Sequence, residues 1–497
     1  MGDGVAKSGF VFTIGLTGHR DIHPEAVADI RAALKNELEA MRERFEALPV
    51  ELVTGLAQGA DTLATEVALE IGLPVRAVLP MPRALYEADF EGEAHSNLIR
   101  LLDDARVKVQ ELPLPHGTGE DDSKEGAARD ALYARLMDYL VRRSNVLVAL
   151  WDGEVTGLTG GSSDVVVRYL SGSEPQARQA RKLEAVVDAG LADDRSDLAI
   201  WIEAPRQTDE VEQGDVQTSY LVQAGATGLI CRLPDIPDFV KERWREFDQY
   251  AFERDTEIGT DLTAYPISAP DDVKISEVAS SIDVDFVRAD QLALANQRQS
   301  GRLFKLFGLM AALMGLTFLL YAKIAALKLF LIAYLALFAG GFLIFAIGSR
   351  RGWFGRHLAF RALAEALRIR FFLVLSGGGA TGQTRRLLQL TGIERFKGFG
   401  WIGDAIRCTE PLTYESTVNG KDRIAVVSER WVKDQAAYFS RKHHQLHAEH
   451  ERLETVKKYL FLAAFLGALS LLFFKKSLYG FHIGDLDGKT LVVFLMG

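Results

Sequence analysis

Cysteine is scarce in this chain, and basic residues are not in excess. Its 497 residues include 2 cysteines, Cys231 and Cys408, which lie far apart and lack the spacing of a metal site. So few thiols exclude a disulfide framework and are typical of a reducing cytosol. The formal net charge of −10 gives no basic footprint for phosphate backbones, so we expect no nucleic-acid partner.

The N-terminus lacks the pattern of a secretory leader. The first 20 residues, MGDGVAKSGFVFTIGLTGHR, have no basic segment followed by an uninterrupted apolar stretch. A signal peptide needs both features. We therefore expect the N-terminal part of the chain to stay in the cytoplasm.

Charge is almost missing from two segments of the C-terminal half. Residues 303–322 (LFKLFGLMAALMGLTFLLYA) carry a charge at Lys305, and residues 329–347 (LFLIAYLALFAGGFLIFAI) carry none. Each can cross ~30 Å of hydrocarbon. The short link KIAALK predicts a tight membrane hairpin, and basic residues beyond both outer ends place those ends in the cytoplasm. The alternative is a buried hairpin of a soluble protein, where such stretches are rare.

Further apolar segments lie near the C-terminus. Residues 459–474 (YLFLAAFLGALSLLFF) lie between two lysine pairs, which predicts a third span whose shortness lysine snorkelling relieves. The final LVVFLMG is interpreted as the start of a fourth span in a sequence cut short. Three spans with an outside C-terminus are the alternative.

The segment between these apolar regions is expected to be cytoplasmic and helical. Four residues share one helical face, which is typical of a helix on a membrane surface or against a partner: Phe360, Leu363, Leu367 and Phe371. Farther along, three histidines recur at i, i+4 and i+7: His443, His447 and His450. Because no carboxylate or cysteine motif completes this cluster, we expect a solvated helix face and no metal site.

The N-terminal region contains three glycine-rich loops, each after a strand pattern and before a helix pattern. Loop 1 is residues 17–21 (TGHRD), loop 2 is residues 54–61 (TGLAQGAD) and loop 3 is residues 152–164 (DGEVTGLTGGSSD). The helix after loop 1 is predicted from Pro24 through Leu48. Residues 75–80 and 197–204 predict two further strands. Repeated strand–loop–helix units predict an α/β domain with a parallel sheet covered by helices on both faces.

This architecture predicts a ligand site. Loops at the carboxyl ends of parallel strands converge on one crevice, glycines admit phosphate to backbone N–H groups, and helix N-termini favour anions. The candidate ligand-binding residues are Thr17, Gly18, His19, Arg20, Thr54, Gly55, Gln58, Gly59, Asp61, Asp152, Gly160, Gly161, Ser162 and Ser163.

Individual roles follow from side-chain chemistry. His19 and Arg20 would contact phosphate, hydroxyls would donate hydrogen bonds, and Asp61 and Asp152 would accept hydrogen bonds from ribose. Alternatives remain at two places. The His19–Arg20 pair could instead form a salt bridge with Asp21 or cap a helix, and Asp61 could be an N-cap.

The three loop sequences together resemble the SLOG superfamily, a Rossmann-like group that includes the LOG phosphoribohydrolases and the DNA-processing protein DprA. The resemblance covers about residues 9–235. The membrane part, with RALAEALR at 361–368 and WVKDQAAYF at 431–439, resembles the SLATT family of SMODS- and SLOG-associated transmembrane effectors. The organisation expected is a nucleotide-binding domain (9–235), a helical connector (236–300), a transmembrane hairpin (301–348), a cytoplasmic helical segment (349–456) and further spans (457–497).

The resemblance implies a Rossmann-like parallel sheet domain followed by an α-helical transmembrane domain that acts in bacterial anti-phage defence. A nucleotide second messenger, a cyclic nucleotide or an ADP-ribose derivative, would bind the SLOG domain and trigger pore formation or membrane disruption. It further implies a homo-oligomer in the lipid bilayer of the bacterial inner membrane, multi-pass, with the N-terminal domain cytoplasmic and no cofactor required.

One departure from the family bears on activity. LOG enzymes carry a PGGxGTxxE loop, whereas GLTGGSSDVV here lacks the proline and has no glutamate at the matching place; Asp164 is the nearest acid. This favours ligand sensing over hydrolysis. A membrane-tethered nucleotide hydrolase, with Asp61, Asp152 or Asp164 as the acid–base residue, and a membrane scaffold remain the alternatives.

Overall fold

A computed structural model describes residues 9–115, 117, 119, 125–155, 161–171, 181–182, 185–186, 190, 192–209, 216–224, 230–257, 267, 277–323, 328–350, 355–376, 398–411, 420–480, 482–483, 486–487 and 492. Contacts within the chain divide it into two compact units. Unit 1 comprises Met1–Ala289 and Ala362–Gly420, and unit 2 comprises Asp290–Arg361 and Lys421–Gly497.

Unit 1 is built on a mixed sheet, which in the described part of the chain has eight strands and a two-residue edge strand. In spatial order these are β4 (Val107–Glu111), β3 (Val75–Leu79), β2 (Val50–Thr54), β1 (Phe12–Gly18), β5 (Val146–Trp151), β9 (Ala199–Glu203), β10 (Thr218–Gln223), β11 (Ile230–Leu233) and β8 (Ala185–Val186). Two further short strands pair with each other, β6 (Glu154–Val155) and β7 (Arg181–Lys182).

The helices of unit 1 that precede the membrane region are α1 (Val27–Arg44), α2 (Ala60–Glu70), α3 (Arg83–Glu87), α4 (Gly92–Leu102), α5 (Gly126–Arg143), α6 (Ser162–Ser171) and α7 (Asp238–Glu257). Helices α2, α5 and α6 pack on β1. Every residue of β2 and β5 is buried, so both faces of the central sheet are covered. This agrees with the continuous apolar sequence of β5, VLVALW.

The sheet is parallel in its core but not throughout. Strands β4, β3, β2, β1, β5 and β9 run parallel to their neighbours, whereas β10 is antiparallel to both β9 and β11. The prediction of a parallel sheet therefore holds only for the first part of the domain. Antiparallel neighbours need no crossover connection, unlike the parallel pairs earlier in the sheet.

The order of the parallel strands reverses at β1. Strands β2, β3 and β4 extend from one side of β1, and β5 and β9 extend from the other. Such a reversal leaves a crevice beyond the carboxyl ends of the two central strands, because their connections turn away in opposite directions. In this sheet the crevice lies where β1 and β5 end.

Helix α1 is shorter than predicted at both ends. Pro24 opens a 3₁₀ turn (Pro24–Ala26), the α-helix starts at Val27, and it ends at Arg44 rather than Leu48. The carboxylate of Asp248 on α7 accepts the N–H groups of Glu46 (3.1 Å), Ala47 (2.9 Å) and Leu48 (2.8 Å). A partner some 200 positions away ends the helix, and local sequence does not reveal it.

Part of the segment expected at the membrane surface is buried in unit 1. Helix α10 (Arg356–Ser376) carries Leu363, Leu367 and Phe371, each at most 1% exposed. The prediction of a position on the membrane surface is wrong for these three residues. Their apolar face packs inside unit 1 of the same chain, so the partner that covers it is not a second molecule.

Helix α11 (Trp401–Arg407) packs at the amino ends of the central strands. The Asn145 amide, just before β5, donates to the Asp404 carbonyl (2.8 Å), and Arg407 pairs with Asp197, just before β9, at 2.5 Å. Trp401 stacks on Tyr250 of α7 at a centroid distance of 4.9 Å. Unit 1 therefore extends past the predicted domain limit at residue 235 and includes residues 362–420.

Two helices of the described chain are long and apolar enough to cross a membrane. They contain the predicted hairpin: α8 (Glu277–Lys323) and α9 (Lys328–Arg350), whose apolar windows have mean hydropathies of 2.1 and 2.5. Within unit 2, Phe318 and Tyr334 lie 6.1 Å apart between ring centroids. A Cβ on Gly341 would lie 3.4 Å from Met310, so the two helices pack closely.

The remaining predicted spans are not decided by the structure. Unit 2 also contains α12 (Gly420–Val427), a π-helical turn (Ser428–Lys433), α13 (Asp434–Gly480), β12 (His482–Ile483) and β13 (Leu486–Asp487). Residues 459–474 form part of α13, and their role as a third span stays a prediction. Apart from Val492, the predicted start of a fourth span lies outside the described residues.

The packing of residues 362–420 in unit 1 predicts a large stability effect at Glu410. This carboxylate is buried, bonds to the buried Arg370 and accepts from Arg142 Nε at 2.8 Å. The Glu410→Ala change leaves two guanidinium groups without that partner, so we expect a loss of roughly 3–5 kcal/mol in the free energy of unfolding. Urea titration of the full chain in detergent, followed by tryptophan fluorescence, measures it.

The matched control is Lys241→Ala, which removes a solvent-exposed pair with Asp238 and should leave the midpoint unchanged. Equal, small effects of both changes would contradict the burial of residues 362–420 in unit 1.

Candidate ligand-binding site

Loop 1 is attached to the end of β5 by its backbone and by His19. The His19 N–H donates to the Leu150 carbonyl (3.0 Å), and the ring Nε2 lies 3.1 Å from the Asp152 N–H and 3.0 Å from the Asp152 Oδ2. His19 is buried. This residue therefore connects loop 1 to loop 3 and is not a free cation for phosphate.

Asp152 lies between two basic side chains. Besides His19, it accepts from Arg206 Nε at 2.7 Å, and Arg206 also reaches Asp21 at 3.4 Å. Burial alone raises the pKa of Asp152, but hydrogen bonds from His19, the Glu154 N–H and Arg206 outweigh it and lower that pKa to about 2. Asp21 thus pairs with Arg206, and the local salt bridge with His19 or Arg20 considered from sequence does not form.

Loop 2 packs directly against loop 1 at Gly59. Gly59 has φ +82°, and a Cβ there would lie 2.4 Å from the Arg20 carbonyl oxygen and 2.6 Å from that of His19. The Ala60 N–H donates to the same His19 carbonyl at 2.9 Å. A Cβ on Gly18 would lie 2.4 Å from the Ala60 Cβ. These two glycines make room for protein atoms, and Gly18 also lines the cavity described below. Their contact with phosphate or ribose stays a prediction.

Asp61 stabilises the turn of loop 2. Its Oδ2 accepts from the Thr54 hydroxyl (2.9 Å) and the Ala57 N–H (3.3 Å). The N-cap of α2 is Gly59 and not Asp61. Burial raises the pKa of Asp61 and outweighs the Thr54, Ala57 and Arg20 interactions that lower it. These bonds hold Leu56 at φ 56°, a left-handed conformation that persists only where its surroundings impose it.

Loop 3 contributes the start of a helix. Helix α6 begins at Ser162, and the Val165 N–H donates to the Gly161 carbonyl at 3.1 Å. The amino end of α6, where the helix dipole is positive, therefore lies at Gly161 and Ser162. Asp164 pairs with Arg168 one turn later at 2.8 Å and is 1% exposed. Gly160 lies outside the described residues.

One cavity of about 410 Å³ is lined by residues from all three loops. Its volume falls within the ~300–1,000 Å³ typical of small-molecule sites. The predicted site residues that line it are Thr17, Gly18, His19, Arg20, Gly55, Asp61, Gly161, Ser162 and Ser163. The predicted residues outside its lining are Thr54, Gln58, Gly59 and Asp152, three of which hold the loops in place.

Several lining residues were missed from sequence. Arg206 follows β9, and the rule that ligands bind beyond strand ends could have identified it. The others are Asp21 and Glu154 beside the chosen loop residues, the tyrosines Tyr86 of α3 and Tyr133 of α5, and an apolar group that includes Leu136, Met137 and Leu140 of α5. No motif marks the α3 and α5 residues, because only tertiary packing brings these helices to the strand ends.

Arg20 is the exposed cation of this cavity. Its guanidinium carbon lies 5.7 Å from the centre of the Tyr133 ring. Within the described part of the chain it has no ion pair, whereas Arg206 is held by Asp152 and Asp21. An unpaired guanidinium keeps its full capacity to bind an anion.

No protein-family model matches this chain, and no curated protein is significantly similar to it. Among the described residues, no group of three His, Cys, Asp or Glu side chains is placed to hold a metal ion. The assignment of the site therefore rests on its geometry.

The contact between loops 1 and 2 predicts unequal costs for two glycine substitutions. Gly59 and Gly72 have similar φ values, +82° and +75°, but a Cβ on Gly72 would meet nothing within 4 Å. Gly72→Ala should cost about 1 kcal/mol in unfolding free energy from backbone strain alone. Gly59→Ala must also displace loop 1, so its cost should be clearly larger. Urea midpoints of the two variants measure the difference, and equal midpoints would refute the loop contact.

The Asp152 interactions predict a contribution to acid stability. The pKa of Asp152 is lowered from 3.8 to about 2 by folding. The stabilisation is fully present above the unfolded-state pKa and is lost as pH falls from about 4 toward 2, because protonation removes the acceptor. Asp152→Asn should therefore lower the free energy of unfolding at pH 6. It should also make that free energy decrease less steeply as the pH falls from about 4 toward 2. Urea midpoints of both proteins between pH 6 and pH 2.5 test this. The prediction is contradicted if the midpoint of the variant decreases with falling pH as steeply as that of the unmodified chain.

Proposed function

We propose that this chain is a nucleotide-sensing membrane effector, in which ligand bound at the loop 1–3 cavity changes the state of the membrane helices. The observation that carries the proposal is one cavity, formed by three loops where β1 and β5 end, in a chain that also has two helices long and apolar enough to span a bilayer. The resemblance of the loops to the SLOG superfamily and of the membrane part to the SLATT family supports the same function.

The cavity offers the groups that a nucleotide requires. The unpaired Arg20 and the positive end of α6 favour phosphate. The carboxylates of Asp61 and Glu154 line the same space and can accept hydrogen bonds from ribose hydroxyls, and the apolar α5 residues suit a base. The Rossmann-like character of the domain is part of this proposal. The parallel core and the strand reversal at β1 support it, because ligands of such sheets bind beyond the carboxyl ends of the strands at a reversal.

The output is proposed to be membrane permeabilisation. Both ends of the segment that contains the hairpin join unit 1, at residues 289–290 and 361–362, so a change in unit 1 acts on two attachment points. The ligand must bind the active state more tightly, by ~1–3 kcal/mol for ordinary coupling. Polar residues are few in the spans (Thr317, Tyr321, Tyr334, Ser470), which favours non-selective leakage over a selective ion path.

The proposed setting is the bacterial inner membrane during phage infection. A pair of helices cannot enclose a water-filled path, so a pore requires several copies and we propose a homo-oligomer. The multi-pass topology would keep unit 1 in the cytoplasm, where a cyclic nucleotide or ADP-ribose derivative accumulates as a signal.

The role of Arg20 gives a direct prediction. Arg20→Ala should weaken binding of a nucleotide ligand about tenfold, because a charge-assisted contact to phosphate is lost while the fold is kept. A thermal-shift screen with cyclic dinucleotides, cyclic ADP-ribose isomers and NAD breakdown products identifies the ligand, and calorimetry then measures affinity. Arg31→Ala, which removes an exposed arginine of α1 paired with Glu70, is the control and should bind normally. Equal affinities of the two variants would place the phosphate elsewhere.

Dye release from liposomes that contain the full chain tests the effector function. Release should require the ligand found in the screen and should be reduced in Arg20→Ala. A chain that binds ligand but releases no dye under any nucleotide condition would instead be a membrane scaffold.

A nucleotide hydrolase is the second candidate function, favoured by the carboxylates in the cavity. Asp61 has a raised pKa because it is buried, as a general acid requires, and Glu154 is exposed at the same cavity. The other acids weighed from sequence are engaged: Asp152 with Arg206 and Asp164 with Arg168. Steady turnover of a labelled nucleotide that is lost in Glu154→Gln would support hydrolysis, whereas stoichiometric retention would support sensing.

A further inference from the structure

Helix α5 contributes one aromatic side chain to the cavity, Tyr133, to which the proposed function assigns no role. Tyr133 is half-buried, whereas Tyr139 on the same helix is 3% exposed and belongs to the core. Tyr133 thus keeps part of its surface accessible and lines the cavity.

The Tyr133 ring is fixed from behind by an acid–base pair. Its hydroxyl donates to Asp89, and Asp89 also pairs at 2.5 Å with Arg129, one turn earlier on α5. Arg129 in turn donates to the Leu85 carbonyl at 3.0 Å. Burial and then the bond to Asp89 raise the pKa of Tyr133 to about 12, so the phenol stays neutral and the hydroxyl stays a donor. The ring is therefore held in place before any ligand binds.

An aromatic and a cationic side chain lie next to the ring. Tyr86 lies 6.3 Å from Tyr133 between ring centroids, and its own hydroxyl donates to the Gly55 carbonyl at 2.9 Å. The exposed Arg20 has its guanidinium carbon over the Tyr133 ring, 5.7 Å from the centroid. A tyrosine ring and an arginine guanidinium can each stack on the π-face of a planar base.

We infer that Tyr133 and Arg20 form a base-binding clamp, so that the ligand of this cavity is a nucleotide with an accessible aromatic base and not a sugar phosphate alone. This inference rests on the proposed function and makes it more specific. The base stacks on the Tyr133 ring, and Arg20 moves outward so that the face of its guanidinium covers the other side of the base while its in-plane N–H groups keep the proposed contact to phosphate. A pre-fixed ring loses little freedom on binding, so the stack contributes nearly its full strength to affinity.

Calorimetry on the full chain in detergent tests the clamp with three probes: AMP, ADP-ribose and ribose 5-phosphate. Tyr133→Leu keeps an apolar side chain but removes the stacking surface. It should weaken AMP and ADP-ribose binding roughly 5- to 150-fold, the strength of one base–aromatic stack. Its affinity for ribose 5-phosphate should stay within about twofold of the unmodified chain. Tyr133→Trp restores a stacking surface and should recover the affinity for AMP and ADP-ribose.

Controls separate a stacking role from a structural one. Tyr438→Leu changes an exposed tyrosine of α13 and should bind all three probes normally, and Tyr133→Phe keeps the ring and shows whether loss of the Asp89 bond alone alters affinity. If Tyr133→Leu lowers the affinity for all three probes equally, the ring only maintains the shape of the cavity, and the inference is overturned.

The unmodified chain distinguishes this inference from the proposed function. Ribose 5-phosphate bound as tightly as AMP and ADP-ribose would overturn the base clamp and leave a phosphate-sensing function standing. Binding of none of the three probes, together with no ligand found among the cyclic nucleotides and NAD breakdown products of the thermal-shift screen, would overturn both.

Discussion

The contact between loops 1 and 2 at Gly59 is the constraint on which the candidate site depends. Because Gly59 lacks a Cβ, the backbone of loop 2 reaches the carbonyl groups of His19 and Arg20, and the Ala60 N–H bonds to the His19 carbonyl. This contact fixes where loop 1 runs. It therefore fixes where the Arg20 side chain leaves the backbone, opposite the Tyr133 ring.

A second set of contacts ties loop 1 to the other side of the strand reversal. Asp152, at the end of β5, holds both His19 and Arg206, and Arg206 follows β9. The carboxylate of Asp152, which follows β5, thus connects the residues that follow β1 and β9 through non-covalent contacts. The side chains that make these links are engaged by one another. Within the described part of the chain, Arg20 and Glu154 are charged side chains of the cavity that form no ion pair.

The opposite ends of the same strands are held by a segment from much later in the sequence. Helix α11 bonds to the residues that precede β5 and β9 through Asp404 and Arg407, and Glu410 bonds to Arg142 and to Arg370 of α10. Residues on both sides of the two long apolar helices, α8 and α9, therefore belong to unit 1. In the proposed function, this gives the sheet two covalent connections to the hairpin.

The sequence alone predicted the α/β organisation, the strands that precede the three loops, the two apolar helices and most of the cavity-lining loop residues. These follow from local patterns: apolar period, glycine placement and segment length depend on neighbours along the chain. Tertiary structure alone decided the antiparallel β10, the end of α1 at Arg44 and the burial of Leu363, Leu367 and Phe371. It also decided that Gly18 and Gly59 pack against protein atoms and that Tyr133 and Arg206 reach the cavity. The reason is physical: each of these depends on a partner far away in the sequence, such as Asp248 for α1 or Arg20 for Tyr133, and no local pattern encodes which distant groups will meet.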